Sequence, residues 1–71
     1  MTSSEKVSSL NMITVIMVNV LNGVGGHGDF LTSLALSWQK ADFSNKLILC
    51  GAYLKIIYKY ELNEPKYLRN S

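Results

Sequence analysis

Four of the five glycines of this 71-residue chain fall within Asn22-Gly23-Val24-Gly25-Gly26-His27-Gly28-Asp29. Glycine reaches positive φ without steric cost and lets backbone approach a neighbour closely. Such a cluster forces the chain to turn between whatever precedes it and whatever follows. Met12 to Val20 precedes it, dense in β-branched residues and without strict alternation, which predicts a strand covered on both faces. Phe30, Leu34 and Trp38 follow at i, i+4 and i+8, with Leu31 and Ala35 alongside. That spacing predicts an amphipathic helix from Asp29 to about Lys40, with Trp38 as a core anchor.

Ala41 to Asn45 reads as a polar connection, and Lys46 to Cys50 as a short second strand built on Leu47-Ile48-Leu49. Strand, helix and strand joined this way make a right-handed parallel unit. The expected fold class is therefore α/β, a single Rossmann-like βαβ unit. Tyr53 to Leu62 fits either a strand or a helix; a strand continuing across Gly51 would be implausibly long, so a C-terminal helix is expected. Glu64-Pro65 ends the regular structure, because a residue before proline is pushed out of helical geometry. The domain reading is a flexible leader over 1–9, a partial βαβ unit over 10–63 and a polar tail over 64–71. No internal repeat is present.

A strand-to-helix turn rich in glycine presents amides and the positive end of a helix dipole, a setting that suits phosphate. The competing reading is a plain glycine linker between two elements. Gly23-Val24-Gly25-Gly26-His27-Gly28 satisfies G-x-G-x-x-G literally, but the dinucleotide fingerprint also needs an acidic residue at the end of the second strand. Cys50-Gly51-Ala52-Tyr53 supplies none, and Asp29 would oppose a pyrophosphate. A Walker A loop is excluded because no Gly-Lys-Ser/Thr follows.

Gly23-Val24-Gly25-Gly26-His27, followed by Leu31, Leu34, Ala35 and Leu36, resembles the opening of GT-B glycosyltransferases. In those nucleotide-sugar enzymes a strand leads into a G-x-G-G-H loop and then a helix. The resemblance spans roughly Met12 to Gly51. It departs where Phe30 stands in place of an early helix proline, and the family's second domain is missing. The resemblance implies an N-terminal segment or small subunit of a transferase, inactive alone and completed by a second domain or partner chain. It also implies a nucleotide-sugar diphosphate or a glycosyl acceptor at the loop. Carried over residue by residue, His27 is the candidate catalytic base, with Gly23, Gly25, Gly26, Gly28 and Asp29 as ligand-binding positions. The plainer readings are a bystander loop histidine for His27 and a helix N-cap for Asp29.

Composition bounds the alternatives. A chain of this length buries a modest fraction of its surface, yet 48% of its residues are hydrophobic and 17% charged. Apolar surface in excess of what the chain can hide argues for a partner, a membrane surface or a missing remainder. The alternative function is thus a non-catalytic interaction protein docking on a protein or membrane surface. A net charge of +2 with scattered lysines lacks the dense basic stripe of a nucleic-acid binder. Cys50 is the one cysteine, so no internal disulfide forms; it reads as a buried strand residue. No ligand set for structural zinc exists, and no cofactor is expected. The run Leu10 to Leu21 is too short to span a bilayer, and its small-residue flank makes a poor signal-cleavage site. A cytoplasmic location, with membrane association left open, is the expectation.

Overall fold

In a computed structural model of the protein, residues 3–69 are described, with side chains from Val7 onward. Three α-helices follow one another: α1 (Ser3–Leu21), α2 (Asp29–Lys40) and α3 (Phe43–Lys59). Among the described residues, short 3₁₀ turns lie at Val24–Gly26 and Pro65–Tyr67 as well. Among the described residues there is no strand, and the expected α/β Rossmann-like unit is corrected to an all-helical bundle. Both expected strands are helical. Met12–Val20 lies inside α1 and Lys46–Cys50 inside α3. The helix begun at Tyr53 is the second half of that same α3.

The first of these corrections has a plain cause. α1 packs against both other helices and against the two short turns. It buries Leu10, Ile13, Ile16, Met17 and Val20, with Met12 and Leu21 half-buried against the same core. A helix covered on several sides carries apolar residues nearly all round, and over nine residues that run cannot be told from a doubly covered strand by periodicity. Length decides it: 19 residues of helix rise about 28 Å, close to the 33 Å long axis of the molecule. Helix begins at Ser3, within the stretch expected as a flexible leader; Met1 and Thr2 lie outside the described residues, as do Asn70 and Ser71 of the tail.

α2 lies where its spacing places it, and Leu31, Ala35 and Trp38 are buried. The stripe is rotated from the expected one, leaving Phe30 outside at 59% exposure. Gly28, not Asp29, is the N-cap residue, and no side chain caps this helix. Asp29 takes the first helical position, where its carboxylate complements the dipole. Only Ala41 and Asp42 connect α2 to α3. The Asp42 side chain accepts a hydrogen bond of 2.9 Å from the Asn45 amide, so the aspartate expected to lie in a loop is the N-cap of α3.

The end of α3 is unmarked by glycine. Glu61 turns left-handed at φ 57°, and the Leu62 amide reaches back 2.8 Å to the Ile57 carbonyl. This is a Schellman closure, and it drives Leu62 to full burial. Helix therefore stops at Lys59, before Pro65, which instead opens the second 3₁₀ turn.

Two polar links join the helices across the core. The Trp38 indole donates 3.0 Å to the Thr14 hydroxyl, which donates 2.8 Å to the Leu10 carbonyl of its own helix. The Tyr53 hydroxyl donates 2.8 Å to the Leu34 carbonyl, and its ring lies 4.7 Å from that of Trp38. Each buried polar tip is satisfied, as aromatic residues with a polar handle require. Burial pushes the Tyr53 phenol above its ordinary pKa of 10.0. Cys50 is buried and free, on a helix and not on the expected strand.

Candidate functional site

The glycine stretch joins α1 to α2 at one end of the bundle. Gly23, Gly25 and Gly26 adopt φ of 88°, 81° and 60°, a region that costs an L side chain roughly 1–2 kcal/mol. The chain reverses in three left-handed steps, each of which favours glycine. Helix, not strand, leads into the loop, so the strand-to-helix setting behind the phosphate expectation is absent.

The C-terminal segment closes over this loop. The Tyr67 hydroxyl and His27 Nε2 are hydrogen-bonded at 2.5 Å, and their rings lie 5.7 Å apart. Gly25 lies directly beneath the pair. A Cβ at position 25 would overlap the Tyr67 hydroxyl and come within 2.7 Å of His27 Nε2. Gly25 is thus fixed by its backbone angle and by the close approach together. At Gly23, Gly26 and Gly28 an added Cβ would meet nothing within 4 Å; the first two answer to backbone angle alone, and Gly28 to neither.

Tyr67 is held from behind by Asn19. That side chain is 4% exposed, and its Nδ2 donates to the carbonyls of Tyr67 at 2.7 Å and Arg69 at 2.9 Å. A third, weaker contact of 3.2 Å reaches the Val15 carbonyl. A buried asparagine amide thereby staples the Pro65–Tyr67 turn to α1, and Tyr67 reaches across to the loop histidine.

For the expected site residues the consequence is specific. His27 is half-buried, and its Nε2 is occupied by a phenol of this same chain. To take a proton from a bound substrate through that nitrogen it would have to exchange its Tyr67 contact for one to the substrate. Whichever ring nitrogen carries the proton, the Nε2–hydroxyl contact persists, because a phenol both donates and accepts. Asp29 is exposed on the far side of Gly28 and makes no hydrogen bond to His27, so it does not orient the imidazole. Among the described residues, no group of three or more His, Cys, Asp or Glu side chains is placed to hold a metal. What the loop residues form together is a closure of the fold: Gly25, His27, Tyr67 and Asn19. Sequence reasoning missed Asn19 and Tyr67. The available signal was an asparagine standing between Val18 and Val20 in an otherwise apolar run.

A second feature lies along α3. Ile48, Ala52, Lys55 and Lys59 stand at i, i+4, i+7 and i+11 and form one row, flanked by Gly51 and Tyr58; all six are exposed. Ile48 is 75% exposed and Tyr58 61%. The opposite side of α3 carries Cys50, Tyr53 and Ile57 into the core. Among the described residues this outward row has no packing partner. No helix among the described residues is long and apolar enough to cross a membrane.

Compared with protein-family models, with curated proteins and with solved structures, the chain matches none of them.

Proposed function

We propose that this chain is a non-catalytic helical interaction protein, which docks on a protein partner through the outward row of α3. The observation that carries this reading is the 75% exposure of Ile48 on a helix whose inner side is fully used by the core. Isolated exposed apolar residues are ordinary on protein surfaces. Here the isoleucine shares its face of the helix with Gly51 and Ala52 and stands nearly three turns from Tyr58, a residue type enriched in binding hot spots. Occupation of His27 by Tyr67 supports the same direction, since the residue best suited to proton transfer is engaged in closing the fold.

The test is site-specific photo-cross-linking in the native cell, with the reactive group at Ala52 in one variant and at Ser33 of α2 in another. Discrete protein adducts from Ala52, lost on Ile48→Lys and not formed from Ser33, are the expected result. Adducts formed equally from both positions, or from neither, would refute docking through α3.

A further inference from the structure

From the charge along α3 we infer the chemistry of the partner: an acidic amphipathic helix, laid along the row from Ile48 to Lys59. This inference rests on the docking reading above and narrows it. From Phe43 to Lys59 the helix carries Lys46, Lys55 and Lys59 and no carboxylate. Lys46 is turned inward, its Nζ 5.7 Å from the Trp38 ring centroid. Lys55 and Lys59 remain on the outward row, neither in an ion pair among the described residues. Lys59 lies 5.5 Å over the Tyr60 ring, a contact to an exposed ring that leaves the ammonium in water. The nearest acidic residues in sequence, Asp42 and Glu61, lie beyond the two ends of the helix.

The row has a polarity of its own. Ile48 offers an apolar contact at one end, and the two ammonium groups follow two to three turns later, about 10–16 Å along the axis. Gly51 and Ala52 lie between, with open space where a glycine side chain would be. The core has no use for that glycine. A helix interior disfavours it relative to alanine, and on this face it lowers the floor on which a second helix would lie. A complementary segment therefore presents an apolar anchor to Ile48 and, two turns on, carboxylates to Lys55 and Lys59. Such a segment would pack as one helix laid on another across the i, i+4 and i+7 positions, with charge pairing setting orientation.

A lipid surface fits the row less well. An interfacial helix carries a continuous apolar strip with lysines at its margins, where they snorkel to the headgroups. Here Lys55 and Lys59 stand in the row itself, so hydrocarbon deep enough to bury Ile48 would have to cover both ammonium groups. Carboxylates of a protein partner meet them without that cost.

The test uses the whole isotope-labelled chain and a designed helical peptide with leucines at i, i+3, i+4 and i+7 and glutamates elsewhere. Amide shifts are followed during titration. The expected result is a footprint confined to residues 44–59, with affinity falling at least about tenfold from low to high salt. The same loss is expected in the K55E/K59E variant, whose dispersed spectrum reports that it remains folded. Equal binding of a peptide with lysines in place of the glutamates would overturn the inference, as would undiminished binding by K55E/K59E. Shifts on α3 produced by phosphatidylserine vesicles but not by the acidic peptide would overturn it in favour of a membrane. Cross-linking from Ala52 together with no response to the peptide would sink the acidic-helix inference alone; absence of both would sink the docking reading with it.

Discussion

Alanine placed at Gly25 and, in a second variant, at Gly28 separates a glycine stretch that closes a fold from one kept open for a ligand. At Gly25 the new side chain meets a backbone angle of 81°, worth roughly 1–2 kcal/mol against an L residue. Its Cβ also displaces the Tyr67 hydroxyl, breaking the bond to His27, a further 1 kcal/mol or so. Movement of the buried Tyr67 ring adds to that. The sum is about 2–4 kcal/mol, against a stability of roughly 4–10 kcal/mol for a chain of this size. At Gly28 the angle is −82° and the space is open, so the gain from a stiffer unfolded chain is offset by alanine's poorer fit as an N-cap, and the net change is within about 0.5 kcal/mol of zero. Urea titrations of the two variants, with unchanged slope, should therefore differ by about 3 kcal/mol, and the melting temperatures by more than about 10 °C. Gly23→Ala should fall between them, since it meets the angle without the overlap. Equal stability of the Gly25 and Gly28 variants, within about 0.5 kcal/mol, would refute the closure formed by Gly25, His27 and Tyr67.

Three further outcomes follow from the same structure. Asn19→Leu leaves the Tyr67 and Arg69 carbonyls without their donor and should cost about 2–3 kcal/mol, with amide exchange quickening first over residues 63–69; unchanged exchange there would contradict the staple. Gly51→Ala should raise stability by about 0.5–1 kcal/mol, because the helix gains propensity and no atom stands in the way; a loss on thermal melting would mean the position is crowded. The Tyr53 phenol has a raised pKa in the folded chain, so its contribution is fully present below its unfolded pKa and is lost as pH rises through the folded value. Stability should accordingly decline above pH 10, and Tyr53→Phe, though weaker by about 1 kcal/mol at neutral pH, should show a flatter alkaline limb. Parallel alkaline limbs in the two proteins would exclude Tyr53 as the source.

How far the residues themselves disclose this fold differs from element to element. α2 is legible because one side of it faces water, and Phe30, Leu34 and Trp38 leave a visible period; only its rotation, with Phe30 outside, eludes the pattern. α1 is not legible, because neighbours on several sides erase the period and its β-branched residues imitate a covered strand. The division of α3 into a strand and a separate helix has another cause. Gly51 reads as a break between Cys50 and Ala52, but on an exposed helical surface a glycine costs little enough to be carried through. The end of α3 is equally hidden, since its left-handed closing residue is Glu61, where glycine would have marked the stop. At the loop, the glycines disclose a tight reversal and nothing about its purpose. Tyr67, forty residues beyond His27, gives them their role, and no local pattern ties those two positions together. Asn19 lies forty-eight residues from Tyr67, and only its polarity in an apolar run sets it apart.

The loop, the staple and the outward row of α3 all require that the segment before the glycines be helix. Backbone carbon chemical shifts over Met12 to Val20, measured on the whole chain in solution, test that directly. Cα shifts displaced to the helical side through all nine residues, continuous with Ser8 and Leu21, are the result expected of α1. Shifts displaced to the extended side would restore a strand entering the loop, and with it the α/β unit that this structure replaces.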